Sequence, residues 1–402
     1  MSAVPPAPRR ALICSIVLAL GALVLPAVPA SAANAWDVPR DATVTVRGHG
    51  YGHGHGLSQY GAQRAAGLGK TYRQIVRFYY PGTRWGRAGG TVKVLLTADT
   101  TRDVVVRARS GLTLRSLGAR RAWPLTRVAP RANRWRITPA ARGRSIIAYR
   151  TKRWHTWRTV PGDAEFAAGG KPITLQTPAG ARRYRGILRS ASVAGRGRDR
   201  DTVNILSLES YLRGVVPLEV PALWHRHAVR AQAIAARTYA AFERAAAPSR
   251  HYQICDTAHC QVYGGHSAEH SASNAAVRAT RKQVLTKGGR PIFAQFSASS
   301  GGWTSAGAFS YLKAKEDPYD RWKGNPHHAW RVALSDEEIE AQWPGIGNLT
   351  RIRVNRRDGN GDWNGRVEEM TLTGEDGSVT VSGDTFRLRF GLRSSWFTFR
   401  VS

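Results

Sequence analysis

Residues Trp224–Arg244, WHRHAVRAQAIAARTYAAFER, hold seven alanines and neither glycine nor proline. Ala228, Ala231, Ala235, Thr238 and Phe242 recur at steps of three and four, which places them on one helix face. Pro248 closes the segment, and the small side chains of Ala231 and Ala235 let another element approach the helix axis. The surroundings read differently. From about 90 to 206, short β-favouring runs such as Thr91–Leu96, Asp103–Arg107 and Pro172–Leu175 alternate with Gly, Asp and Pro turns. Arg residues at alternating positions in these runs face solvent on half-buried strands. A long helix set among strands reads as an α+β fold: a mixed, β-rich module with a helical segment.

Working outward, a glycine-rich head followed by a helical stretch occupies 48–83. A Cys/His-rich loop follows the long helix (His251 to His270), then a second helix around Ser273–Thr280 and a strand over Pro291–Ser297 that Gly301 and Gly302 end. Ser335 and Glu338 have capping-box spacing, and β-like runs return at Arg351–Asn355, Val367–Leu372 and Val379–Val381. The expected organisation is 48–83 as a glycine-histidine segment, 84–205 as the β-rich module, 206–310 as the helical core and 311–402 as a β-rich extension.

Composition limits the partners. The 402 residues carry 60 Lys plus Arg against 27 Asp plus Glu, a net +33, and 51 of the 60 are Arg. Such an excess suits a polyanionic partner or simply a solvated arginine-rich surface. Residues 1–32 read as a secretory leader: Arg9 and Arg10, an apolar run from Ala11 to Val28, then Ala30-Ser31-Ala32 as a small-x-small cleavage site. Export makes chromosomal DNA a poor candidate, and no nucleic-acid-binding motif is apparent, so no nucleic acid is expected. A membrane enters only if the leader stays attached, since no second span follows. Three cysteines exclude a disulfide-built scaffold.

The run Leu206-Ser207-Leu208-Glu209-Ser210-Tyr211-Leu212-Arg213-Gly214-Val215-Val216-Pro217-Leu218-Glu219-Val220-Pro221, leading into the long helix, resembles the heart of the stage II sporulation protein D family, the SpoIID/LytB domain. Cys260 to Gly265, then Ala276-Val277 and Thr280, then Phe296 to Gly302, continue the resemblance in order. Gly52-His53-Gly54-His55-Gly56-Leu57-Ser58-Gln59-Tyr60-Gly61-Ala62 resembles the family's glycine-histidine signature. In sporulation members that signature lies near the end of the domain; here it comes first. The resemblance implies a SpoIID/LytB-like fold and lytic transglycosylase activity, cleaving the MurNAc–GlcNAc bond of peptidoglycan strands and leaving 1,6-anhydro-MurNAc ends. The amidase-enhancer relatives imply an alternative, a non-catalytic wall-binding activator of another hydrolase.

The acid implied by the resemblance falls on Glu219. A glycosidic oxygen is a poor leaving group until protonated, so an acid of raised pKa must sit against it. Water-using glycosidases need a second carboxylate, whereas a transglycosylase uses the sugar's own hydroxyl. Flanking Val216-Pro217-Leu218 and Val220-Pro221 favour desolvation and a higher pKa; a place near the following helix's N-terminus would pull it down. Glu209 reads as structural. The substrate-binding residues implied are His53, Ser58, Gln59, Gln232, Arg237, Tyr239, Tyr263, Ser299 and Ser300, with packing or a buried polar network as the plainer reading for several.

The chemistry requires no cofactor. His251, Cys255, His259 and Cys260 match a structural zinc set, and some sporulation members hold zinc in the corresponding loop; the rival is a Cys255–Cys260 disulfide, which an exported protein readily forms. Alternating His49, His53 and His55 tempt a metal reading, but the intervening glycines better suit close backbone approach to a glycan or another strand. Ser297, Ser299 and Ser300 lack a nucleophile-elbow pattern. Asp358 to Trp363 with Glu369 echoes a calcium loop, yet Trp363 stands where that loop turns on glycine, so a β-hairpin loop is the better reading.

Overall fold

The computed structural model describes residues 34–194 and 199–402, and the expected leader at 1–32 lies outside the described residues. The architecture is α+β, as the sequence predicts. Two antiparallel-rich sheets make the β-rich module. One has six strands in the order Trp154–Val160, Ser145–Arg150, Arg134–Pro139, Val104–Arg107, Ile173–Thr177, Gly180–Tyr184. The other has seven: Ile254–Cys255, Thr91–Leu95, Arg200–Ser207, Ile187–Ser192, Ala164–Ala167, Thr113–Ser116, Arg121–Pro124. Period-two alternation sends Val104, Val106, Trp135, Ile137, Ile147, Leu114, Phe166 and Leu188 into one shared core.

That core does not stop at residue 205. It continues through Leu208, Tyr211, Leu212 and Val215 of the helix Leu208–Glu219 and through Val229, Ala233 and Ala236 of the helix Arg226–Ala246. The module and the helical segment therefore form one body rather than two. The long helix, expected over Trp224–Arg244, begins at Arg226 and is buried on two sides. Its Ala228, Ala231 and Ala235 stripe packs against the head helices Gln59–Gly67 and Tyr72–Tyr79, through Ala62, Ala65, Ile75 and Val76. Close approach on both sides explains the alanines. A leucine at Ala231 would overpack the seam, at a cost of about 1–3 kcal/mol.

Arg237 sits fully buried on the same helix and ties three elements together. Its Nε and Nη2 donate to the two Glu209 carboxylate oxygens, each at 3.0 Å, and its remaining donors reach the carbonyls of Ala233, Val277 and Gln283. The Lys282 N–H also donates to Glu209, at 2.9 Å. The structural reading of Glu209 holds.

The second expected helix occupies Ser271–Ala279. The strand expected over Pro291–Ser297 is only two short pieces, Arg290–Pro291 and Phe296–Ser297, because Ala294 and Gln295 turn aside between them and the Gln295 carbonyl accepts the Tyr80 hydroxyl instead. The tail has its own core of Val44, Val46, Ile352, Met370, Leu372, Phe386 and Phe397. Thr43–His49 runs between Ala329–Ser335 and Phe397–Val401, so the start of the described chain belongs to the C-terminal body. Ser335 and Glu338 form the capping box, and Leu349–Arg357 pairs with Val367–Gly374 around the Asp358 loop, a hairpin as expected.

Candidate functional site

The site is built on the last turn of the helix Leu208–Glu219. Ser207 caps its start, accepting the Ser210 N–H at 3.2 Å. Gly214 carries no side chain where the chain at 263–265 crosses the helix; a Cβ there would lie 2.7 Å from the Gly265 carbonyl and from the Tyr263 ring. This close approach, clamped by the Gly264 N–H on the Gly214 carbonyl at 3.1 Å, brings the Val262 N–H to Glu219 Oε1 at 2.9 Å. Tyr263 anchors the crossing from beneath, its hydroxyl donating to Asn204 at 2.7 Å.

Glu219 opens into a cleft of about 440 Å³ lined also by Tyr51, His53, Gln59, Tyr239, Val262, Phe293, Phe296 and Arg387. Burial pushes its carboxyl up to about 7, against the Val262 N–H and the Gln59 side chain, which favour the ionised form. The helix-dipole expectation is corrected here. Glu219 is the final residue of its own helix, and the next begins at Arg226, so the nearest dipole end is negative and adds to the upward push.

The glycine-histidine head forms the opposite wall. Tyr51 pairs with Ser299, and Leu57–Ser58 runs parallel to Phe296–Ser297. At Gly52, φ is +103° and a Cβ would lie 2.6 Å from the Ser297 Cβ, so the head needs glycine to lie against that strand. The first-placed signature thus meets the core it would follow in a permuted order. His53 is neutral: burial first, then the charges of His55, Arg366 and Arg387, hold its imidazole down at about 3. Its Nδ1 accepts the His55 N–H at 2.9 Å, and the Phe296 backbone opposes the downward shift only weakly. It presents a ring to the cleft, not a mobile proton.

Of the substrate-binding residues expected, His53, Gln59 and Tyr239 line the cleft with Glu219. Ser58, Ser299 and Ser300 lie behind its wall, no more than 1% exposed, gathered on the buried Asp320. Ser58 Oγ, Ser299 Oγ and the Ser300 N–H each donate to that carboxylate at 2.9 Å, and Asn325 and His328 reach it at 3.1 Å. Burial alone would raise Asp320; His328, Ser299 and Ser58 outweigh it and hold the carboxyl below its usual range. Arg237 and Tyr263 are structural by the contacts above. Gln232 is buried on the long helix with neither amide atom bonded, and it is not among the cleft residues.

The zinc set does not assemble. Cys255 and Cys260 are joined in a disulfide with Cα atoms 5.5 Å apart, which leaves neither sulfur as a thiolate ligand. His251 faces Asp201, Nε2 to Oδ2 at 2.6 Å, while His259 is exposed at the cleft rim. Among the described residues no three His, Cys, Asp or Glu side chains converge to hold a metal, the alternating histidines of the head included.

Sequence reasoning missed four contributors. The Val262 N–H is a backbone group without a side-chain signal. Phe293 and Tyr51 read as ordinary apolar positions, and Arg387 is one arginine of 51, delivered from the helix Gly383–Arg389 in the C-terminal body.

Residues 196–286 match the family model SpoIID, "Stage II sporulation protein". The amidase enhancer of Bacillus subtilis (strain 168) is 36% identical over 137 residues, 33% of this chain and 18% of that protein. Stage II sporulation protein D of Bacillus amyloliquefaciens is 28% identical over 223 residues, 50% of this chain and 62% of that protein. Its Bacillus subtilis counterpart is 32% identical over 141 residues, 30% and 41% respectively. The chain spans less than two thirds of each of these relatives.

Proposed function

We propose, from the premise that this chain belongs to the SpoIID family through residues 196–286, that it is a secreted, wall-associated peptidoglycan lytic transglycosylase with Glu219 as acid and then base. The observation carrying this reading is a buried carboxyl, pushed up to about 7 by desolvation, in the wall of a cleft of about 440 Å³. Protonated, Glu219 donates to the oxygen linking MurNAc C1 to GlcNAc C4. As that C1–O bond breaks, GlcNAc leaves with its hydroxyl, and positive charge builds on the muramyl ring. The carboxylate then takes the proton of the muramyl C6 hydroxyl while O6 closes on C1, forming the 1,6-anhydro ring and restoring the acid.

One carboxyl suffices for this route. Among the described residues lining the cleft, Glu219 is the only carboxylate, whereas hydrolysis with water would call for a second carboxylate roughly 5–9 Å away. Tyr51, Tyr239, Phe293 and Phe296 supply apolar faces for sugar rings, and Arg387 supplies a cation for the lactyl or acetamido groups.

A second reading, that the protein is a glycan-binding activator of another wall hydrolase, draws on the 36% identity to the amidase enhancer. Incubating the purified protein alone with peptidoglycan strands separates the two. Anhydro-muramyl ends support the transglycosylase. Intact strands, together with faster release of stem peptides when an amidase is added, support the activator.

A further inference from the structure

The segment 84–205 holds 27 of the 60 basic residues and six of the 27 acidic ones, so it carries +21 of the chain's +33. The outer face of its six-stranded sheet arranges part of this excess in a way the fold does not require. Arg107 lies directly opposite Arg134, Arg134 opposite Arg150, and Arg150 opposite Trp154, one row across four neighbouring strands. Their sequence neighbours Val106, Trp135 and Tyr149 pack on the core, so the arginines stand on the solvent side. Adjacent strands are about 4.8 Å apart, which crowds three cations into about 10 Å. Like charges directly opposite one another destabilise a sheet, and among the described residues none of the three arginines forms a salt bridge. Beside the row, Arg136 lies over the Trp154 ring at 4.5 Å.

We propose that this face docks an anionic wall polymer, a linear polyol phosphate, whose phosphodiesters neutralise the Arg107–Arg134–Arg150 row. Each guanidinium offers a fork of N–H donors to phosphate oxygens. The observations favour a polyol phosphate over single-stranded nucleic acid because, among the described residues of the row, the one indole is Trp154, and Arg136 already lies over its ring where a base would stack. The choice of a wall polymer rests on the wall reading above, while the cleft's cleavage of polymer-free glycan strands is scored separately, so that either can fail alone.

The test uses the full chain and poly(glycerol phosphate). The variant Arg107→Ser/Arg134→Ser/Arg150→Ser should bind at least about 10-fold more weakly at low salt, and its log K against log salt slope should flatten by about 2, at roughly 0.7 per lost phosphate contact. Its melting temperature should equal or exceed that of the parent, since the row is repulsive, and its action on bare glycan should not change. Unchanged affinity overturns the proposal. So does equal weakening by Arg47→Ser/Arg331→Ser/Arg353→Ser, which removes the same charge from exposed strand positions elsewhere. Tighter binding of a single-stranded oligonucleotide of equal charge assigns the face to nucleic acid instead.

Discussion

The backbone N–H of Val262 donates to Glu219 Oε1 at 2.9 Å, from a loop whose other end is fastened by the Cys255–Cys260 disulfide. This bond stabilises the carboxylate, while burial stabilises the protonated acid, as does the negative end of the helix that Glu219 closes. The carboxyl therefore sits near neutrality, where one group both gives and takes a proton.

The pH dependence of turnover follows. The acid must be protonated in the first step, and its pKa is raised to about 7. The kcat/KM profile should fall above about pH 7, about tenfold per further unit. A flat profile to about pH 9 would assign the first proton to another group.

Stability carries the same signature. An ordinary glutamate has a pKa of 4.5, and the folded value is higher, so between those values the native state binds more protons and stability falls as pH rises. Glu219→Gln removes the titration. Its melting temperature relative to the parent should rise between about pH 4.5 and about pH 7 and then level off, corresponding to about 3 kcal/mol at most. No pH-dependent difference would mean that the carboxyl is solvated.

Opening the disulfide should free the Val262 loop without removing Glu219. In Cys255→Ser/Cys260→Ser, loss of an N–H that lowers the pKa should move the falling limb of the profile to higher pH and reduce kcat. The oxidised parent should contain no stoichiometric zinc by elemental analysis. One zinc per chain would restore the thiolate reading of this loop.

Behind the wall, Asp320→Ala should strip five donors of their shared acceptor and cost about 3–5 kcal/mol, read as a large drop in melting temperature. Ser58→Ala and Ser299→Ala should lower stability while leaving KM unchanged. Gln59→Ala, in the cleft itself, should raise KM or shift the pH profile. The reverse pattern would place the serines on the substrate.

Much of this was legible in the chain before folding. The alanine steps of the long helix announced one closely packed face, though not the burial of its other side on the β-rich module, and the glycines of 52–56 announced a close approach, which the strand at Ser297 makes. Glu219 carried its apolar flanks openly. What stayed hidden has a common cause: it depends on which distant segments meet. Serines on the SpoIID-like motif look the same whether they face a sugar or Asp320, which lies about 20 residues on in a stretch without a pattern. The helix dipole at Glu219 changed sign because Pro217 was absorbed within the helix rather than ending it, so Glu219 closes one helix instead of opening the next.

The most direct test of the account compares the parent with Glu219→Gln on peptidoglycan strands, measuring strand binding and the yield of 1,6-anhydro-muramyl ends on the same preparations. The variant should bind strands like the parent and form at least about 100-fold fewer anhydro ends, the typical scale of a lost general acid. Equal yields from the two proteins would contradict it.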